Sequence, residues 1–314
     1  MALTTPTSVG GGVAAGMTRS LTKRKVNVKS KLVEILLLGS LAITLLVLLA
    51  LIVDLIQRSW PVWTDRPGGF LTGSLNSQRA DAGGIGQAIK GTIMLSIIVV
   101  IVAFPLGVAC ATYLEEYAGK SRFAQLTRVN VRNLAGVPSI VYGLLGLAIF
   151  VKAMRDVTGG STVIAGGLAL SALVLPIVVI TTSEALRAVP RSIREGALGV
   201  GATQWETVRH HVLPAATPGI LTGTMLSLAR AAGEAAPILL VGAATGLLRT
   251  GDQSVFEQLR GAFTALPVAI FSYARQPSED FRALTAAASL VLLVLVLLMN
   301  GFAIWLRNRY EQKW

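Results

Sequence analysis

The chain has 314 residues, of which 53% are hydrophobic and 14% charged, and its formal net charge is +12. Soluble domains carry about 25% charged residues, so this composition excludes an ordinary soluble protein and indicates one that crosses a membrane several times. The basic excess is attributed to membrane topology and not to nucleic-acid binding. A single cysteine, Cys110, excludes an intrachain disulfide and is interpreted as a small packing residue.

Residues 1–31 combine a low-complexity stretch with a basic run, and we predict a disordered, basic cytoplasmic tail. Basic residues before an apolar run also occur in signal peptides. The run from Leu32 to Ile56 is too long for the apolar region of a signal peptide, and no small-residue cleavage site follows it. It is therefore interpreted as a retained membrane span.

Crossing the hydrocarbon core of a bilayer as a helix takes about 20 apolar residues. The sequence therefore predicts an all-α integral membrane protein with six transmembrane helices within residues 32–306. The fifth segment is long and contains Pro218 and Pro237, which predicts a tilted or kinked helix. The six predicted spans are 32–56, 92–113, 134–151, 163–182, 215–246 and 283–306.

The basic residues are unevenly divided between the two sets of loops. Four segments on one side hold 17 Lys and Arg, and the opposite loops hold 10. By the positive-inside rule the richer set is cytoplasmic, which predicts that both termini are cytoplasmic. The richer set is 1–31, 114–133, 183–214 and 307–314, and the opposite loops are 57–91, 152–162 and 247–282.

Three short segments resemble functional or structural motifs only in part. "FTALPVAIF" at 263–271 is too short to span, so it lies on the membrane surface or folds back into the protein. "GKS" at 119–121 lacks the leading glycine of a phosphate-binding loop, because Leu114 stands there, and we predict no ATP binding by this chain. His210 and His211 lack further ligands at metal-site spacing and are interpreted as polar loop residues.

The predicted cytoplasmic loop 183–214 contains the signals of two short helices. Pro190 suits the first turn of one helix, and "GVG" at 199–201 ends it. Thr203 and Glu206 have the spacing of a capping box for the second helix. The pattern alone fits either an ordinary loop on the bilayer or a structured element that presents an aromatic side chain. The proposed face of the second helix is Trp205, Val208 and Val212, with Pro214 after its end.

The segment "EGALGVGATQWETVRHHVLP" resembles the EAA loop of ABC importer permeases, which docks in a groove of the ATPase subunit. Gly196 replaces the first alanine of that motif, and His211 replaces its usual aliphatic residue. The resemblance implies that this loop couples transport to ATP hydrolysis. The coupling residues that it implies, together with the exposed aromatic, are Glu195, Gly196, Ala197, Gly201, Trp205, Leu213 and Pro214.

Three further segments resemble the PstA-type permease subunit of phosphate importers: "NLAGVPSIVYGLLGL" (133–147), "LARAAGEAAPILL" (228–240) and "FTALPVAIFSYARQP" (263–277). The resemblance implies a type I ABC importer permease fold in the bacterial inner membrane, working by alternating access without a catalytic centre or bound cofactor. It implies a second, PstC-type permease, two PstB-type ATPase subunits that use ATP and Mg²⁺, a PstS-type phosphate-binding protein and membrane lipids as partners. A permease for sulfate or molybdate, and an ATP-independent transporter or channel, are the alternatives.

Arg230 and Glu234 are the only ionisable residues of an otherwise apolar stretch, four positions apart, as on one helix face. Gly223 and Ser227 extend that face as a stripe of small residues, which indicates an interior surface. Three interpretations remain open: a structural lock, an anion pathway in which the guanidinium binds phosphate oxygens, and a gate. The phosphate-importer resemblance favours the last two. Arg187 also matches an arginine of that family and is predicted to be a solvated charge at the cytoplasmic mouth.

Overall fold

The computed structural model describes residues 28–119, 121–243 and 255–310, and helices make up most of them. The chain forms two compact units, the first ending at Asp54 and the second beginning at Leu55. Helix α1, Val28–Asp65, supplies all described residues of the first unit, and its last turns belong to the second. The predicted disordered tail 1–31 lies outside the described ranges up to residue 27, whereas residues 28–31 form the first turn of α1 and are not disordered.

The remaining described helices all belong to the second unit. Three π-helical turns continue them: Tyr113–Tyr117 extends α3, Leu147–Ala153 extends α5, and Val208–Val212 joins α9 to α10. The helices are α2 (Pro67–Thr72), α3 (Gly86–Thr112), α4 (Arg122–Ala135), α5 (Ser139–Gly146), α6 (Arg155–Thr158), α7 (Val163–Ala188), α8 (Arg191–Gly199), α9 (Gln204–Thr207), α10 (Leu213–Gly233), α11 (Ala236–Val241), α12 (Val255–Leu259), α13 (Leu266–Ala274) and α14 (Glu279–Tyr310).

The predicted helical membrane fold is confirmed for the part of the chain that the structure describes. Five helices there are long and apolar enough to cross a membrane, and a bent pair raises the number to six. The bent pair corrects the predicted third span 134–151: α4 and the α5 segment meet at 101°. Pro138 explains the bend, because a proline disfavours helical geometry in the preceding residue and cannot donate a backbone hydrogen bond.

Two boundaries around the predicted loop 183–214 also differ. Helix α7 continues to Ala188, and the helical path that begins at Gln204 runs through Pro214 to Gly233. Pro214 therefore does not end a helix, because it lies in the first turn of α10, where its missing N–H is tolerated. The predicted fifth span 215–246 is interrupted rather than only kinked: α10 ends at Gly233, α11 begins at Ala236, and residues 244–246 lie outside the described ranges.

Three apolar clusters follow one another along α3. The first surrounds Ile85 and Ala88, the second Leu95, Val99 and Ala103, and the third lies at the far end of α3. The second cluster joins α3 to α7, where small residues let the helices approach closely. The third cluster holds the end of α3, the start of α4, the end of α7 and the start of α10 together. Its buried members are Ala111, Leu114, Ala124, Val179, Leu186, Val189, Val212 and Ala216.

The apolar segment at 263–274 folds back into the protein, which decides between the two predicted placements. Six of the nine residues of α13 are buried, Phe271 is 43% exposed, and the first backbone N–H of the helix, that of Leu266, donates to Thr92 Oγ1 at 2.8 Å. The Tyr273 hydroxyl donates to the Gly84 carbonyl at 2.8 Å. Burial raises the pKa of Tyr273 to about 12, so the phenol stays protonated and keeps donating near neutral pH.

Substituting Gly91 by alanine is expected to destabilise this fold-back. A Cβ at Gly91 would lie 1.9 Å from the Thr264 carbonyl oxygen, so one of the two backbones would have to move. Overpacking of this kind costs about 1–3 kcal/mol. We expect a lower thermal midpoint of the detergent-solubilised protein, followed by scanning fluorimetry. Gly301→Ala is the matched control, because nothing lies within 4 Å of its added Cβ in α14, and an equal midpoint for both variants would contradict the packing argument.

Candidate functional site

The turn between α8 and α9 has the geometry of a Schellman motif. The N–H of Ala202 donates to the Ala197 carbonyl at 3.1 Å, and the N–H of Gly201 donates to the Leu198 carbonyl at 3.0 Å. Gly201 has a φ of +90°, in the left-handed region that side chains with a Cβ rarely adopt. The predicted break at "GVG" is therefore confirmed, and Gly201 is the residue that allows it.

The capping box predicted at the start of α9 is present. Thr203 N–H donates to Glu206 Oε2 at 2.8 Å, and Glu206 N–H donates to Thr203 Oγ1 at 3.3 Å. These two bonds satisfy backbone donors that a helix start otherwise leaves unpaired. They fix the direction in which the second short helix leaves the turn.

The two short helices present a small apolar surface, formed by Leu198, Val200 and Trp205. These side chains are 52%, 87% and 59% exposed. The Arg209 guanidinium lies 5.9 Å from the centre of the Trp205 ring. Of the predicted helix face, Val208 and Val212 are buried, so Trp205 alone remains available, as predicted for a presented aromatic. Leu198 and Val200 were not singled out from the sequence, although their position beside the glycine turn is a usable signal.

The other predicted coupling residues differ in how far they are accessible. Glu195 and Gly196 are exposed on α8, whereas Ala197 is buried. Leu213 and Pro214 are half-buried at the start of α10. Helix α8 therefore has one face packed against the rest of the chain, which includes Ala197. The opposite face, which includes Glu195 and Gly196, is exposed to solvent.

Arg187 has a partner that was not predicted from the sequence. Its Nε and Nη2 donate to the two carboxylate oxygens of Glu115, both at 2.8 Å. The Glu115 side chain is 11% exposed, and Arg128 Nε lies 3.6 Å from it. Arg187 is 49% exposed, so the predicted solvated charge is in fact half of a bidentate ion pair between the ends of α3 and α7.

Glu116 makes a second pair of this kind with Arg194, one residue before the predicted coupling residue Glu195. Arg194 Nη2 and Nε donate to Glu116 at 2.7 and 3.2 Å. Neither residue was predicted from the sequence. Adjacent carboxylates at the end of an apolar span, with arginines in two segments on the same side, are the pattern that could have indicated them.

The intramembrane pair lies at a helix break. Arg230 is in the last turn of α10, and Glu234 follows the helix with an extended backbone (φ −80°, ψ 116°). Their closest ionic contact, Arg230 Nε to Glu234 Oε1, is 3.5 Å. The predicted position on one continuous helix face is therefore wrong for Glu234. A cation in the last turn of a helix is favoured by the exposed carbonyls there.

The two members of this pair differ in exposure. The side chain of Arg230 is 57% exposed and that of Glu234 is 21% exposed. Gly223 and Ser227 are buried, and a Cβ at Gly223 would lie 2.4 Å from Thr181 Cβ in α7. The stripe of small residues thus packs against α7, as predicted for an interior surface, whereas more than half of the Arg230 side chain is exposed.

Helices long enough to cross a membrane, a broken span with an exposed arginine and a structured loop with exposed apolar side chains fit a membrane transport subunit that docks on a partner protein. Residues 103–312 match the family of the binding-protein-dependent transport system inner membrane component, and the chain belongs to that family. It is thus a multi-pass inner-membrane subunit of an ABC importer and not its ATPase.

Within that family, several similar proteins are named as phosphate transport system permeases. The chain is 34% identical over 223 residues to "Phosphate transport system permease protein PstA" of Pasteurella multocida (strain Pm70), covering 71% of this chain and 76% of that protein. It is 34% identical over 291 residues to PstA 1 of Mycobacterium tuberculosis (strain ATCC 25618 / H37Rv), covering 92% and 90%. The fold is also similar to a chain of the bacterial alginate ABC transporter (TM-score 0.61, 18% identity, covering 90% and 95%).

Proposed function

We propose that this chain is the PstA-type permease subunit of an ATP-driven importer of inorganic phosphate. The observation that carries the proposal is the similarity to PstA 1 of Mycobacterium tuberculosis, which covers about nine-tenths of this chain and of that protein. The half-exposed guanidinium of Arg230 supports it, because a planar fork of donors matches the oxygens of a phosphate ion. Phosphate carries one to two negative charges near neutral pH, so a cation on its path stabilises it in a low-dielectric environment.

The proposed orientation places both termini and the 183–214 segment in the cytoplasm. It rests on the unequal distribution of basic residues between the two sets of loops. The exposed surface of Leu198, Val200 and Trp205 would then face the ATPase subunits. An aromatic residue with neighbouring aliphatic side chains is typical of the desolvated centre of a protein interface.

The proposed complex contains a second, PstC-type permease, two PstB-type ATPases and a PstS-type extracytoplasmic phosphate-binding protein. In this arrangement Arg230 and Glu234 form part of the anion pathway or its gate. ATP binding moves the 183–214 segment, the spans rearrange between outward-open and inward-open states, and phosphate leaves toward the cytoplasm. Such a change requires that phosphate and ATP bind the two states with different affinities.

Labelled-phosphate uptake by the reconstituted complex tests the proposal. We expect uptake only when ATP and the binding protein are both present, and no reduction by excess sulfate or molybdate. ATP alone without the binding protein is the control for leakage. Competition by sulfate or molybdate would assign the importer to another oxyanion, and ATP-independent uptake would assign the chain to a secondary transporter or channel.

A further inference from the structure

Five charged residues form a cluster where the predicted coupling loop meets the membrane spans, and we refer to it as the twin-glutamate cluster. Its carboxylates are adjacent in the chain and lie in the π-helical turn Tyr113–Tyr117 at the end of α3. Their side chains are only 11% and 9% exposed, against 23–49% for their three arginine partners. The members of the cluster are Glu115, Glu116, Arg128, Arg187 and Arg194.

Arg194 donates four hydrogen bonds, more than either of the other two arginines of the cluster. Besides its two bonds to Glu116, its Nη1 donates to the Val189 carbonyl at 2.9 Å and its Nη2 donates to the Leu186 carbonyl at 2.8 Å. Leu186 lies in the last turn of α7, and Arg194 itself lies in α8. One guanidinium therefore joins three helices: α3, α7 and α8.

A second contact joins the same end of α3 to the far side of the loop turn. The amide Nε2 of Gln204, the first residue of α9, donates to the backbone carbonyl of Glu116. Both short helices of the loop are thus hydrogen-bonded to Glu116. Their bonding residues, Arg194 and Gln204, are 78 and 88 positions away from it in the sequence. Glu115 repeats the arrangement one residue earlier, by linking the end of α7 and helix α4 through Arg187 and Arg128.

The geometry of these contacts fixes direction as well as distance. A bidentate pair between guanidinium and carboxylate holds two groups in one plane, whereas apolar contacts between helices allow sliding. Low exposure reduces screening by solvent and salt, so the pairs are stronger than ion pairs on an open surface. If α8 is displaced, these contacts would therefore move the ends of α3 and α7 together with it.

We propose that Glu116 and Arg194 are positioning residues that transmit the movement of the coupling loop to the second and fourth spans. The inference rests on the proposed function of the 183–214 segment as the ATPase docking element. The exposed surface of Leu198, Val200 and Trp205 has no member in the cluster. Loss of the Glu116–Arg194 pair therefore leaves docking intact, and ATP is hydrolysed without the matching rearrangement of the spans.

The test is the number of phosphate ions transported per ATP hydrolysed, measured in proteoliposomes that contain the full complex. For Glu116→Gln, which keeps the size of the side chain but removes its charge, we expect this ratio to fall about tenfold, within the usual range of coupling between sites. Arg194→Lys is the second variant, because an ammonium group keeps the charge but cannot form the bidentate pair. Glu279→Gln is the matched control, since Glu279 pairs with Arg282 at an exposed site.

Three outcomes are distinguished by running Trp205→Ala beside these variants, with copurification of the ATPase as the assay of docking. A reduced ratio in Glu116→Gln and Arg194→Lys, with normal copurification and an unchanged control, supports the inference. A normal ratio in either variant that retains the assembled complex overturns it, as does a loss of assembly with a normal ratio in the assembled fraction. If Trp205→Ala leaves copurification and the ratio unchanged, the proposed docking function itself fails.

Discussion

Replacing Arg230 by alanine is expected to reduce phosphate uptake about ten- to hundredfold while the complex still assembles. The estimate follows from the loss of hydrogen bonds to a charged group, each of which contributes about 1.5–3 kcal/mol, with about 1.4 kcal/mol corresponding to a factor of ten. The side chain is 57% exposed on this chain, so its removal leaves no cavity in the fold. Uptake is measured in proteoliposomes, and assembly is measured by copurification of the other subunits.

The neighbouring carboxylate separates the three interpretations of the pair. If the pair is a structural lock, Arg230→Ala and Glu234→Ala both reduce recovery of the complex from the membrane. If Arg230 lines the pathway, Glu234→Ala retains uptake, because the guanidinium remains available. If the pair is a gate, Glu234→Ala allows phosphate flux without ATP. Their 3.5 Å contact is longer than the bidentate pairs of the twin-glutamate cluster, which argues against a rigid lock.

Arg282→Ala is the matched control for the pathway experiment. Arg282 also pairs with a glutamate on the same helix, but both partners are more than half exposed at the start of α14. We expect normal uptake from this variant. Wild-type uptake by assembled Arg230→Ala would refute the pathway and gate interpretations together.

The sequence predicted the features that depend on local chemistry. Apolar length identified the long helices α1, α3, α7 and α14, and the spacing of Thr203 and Glu206 identified the capping box, because both signals lie within one element. The break after Gly233 was not foreseen, although Pro237 was expected to kink or tilt the helix. Pro237 lies in the first turn of a new helix, and the chain adopts an extended conformation at Glu234 just before it.

The contacts that the sequence could not predict are those between distant segments. Glu115 and Arg187 are 72 residues apart, and Glu116 and Arg194 are 78 apart, so no helical spacing relates them. The fold-back of 263–274 against α3 is a third case, since its composition fitted a surface helix equally well. In each case the two partners are brought together by the packing of separate spans against each other. The periodicity of residues within one span carries no information about that packing.

Replacing Gly201 by valine is expected to uncouple ATP hydrolysis from transport. The left-handed backbone of Gly201 closes the Schellman motif between α8 and α9, and a β-branched residue there costs about 1–3 kcal/mol. A Cβ at this position meets nothing within 4 Å, so the expected effect comes from the backbone and not from a clash. The turn must then open, and Leu198, Val200 and Trp205 no longer form one surface.

Two matched variants separate this backbone effect from a general sensitivity of the loop. Gly201→Asn should retain most coupling, because asparagine tolerates left-handed geometry. Gly199→Ala should retain all of it, because Gly199 ends α8 without a positive φ and with open space around it. Phosphate transported per ATP hydrolysed is the measurement for all three variants. Equal ratios for valine, asparagine and glycine at position 201 would show that coupling does not depend on this turn, and the docking model would then lose the residue that shapes its surface.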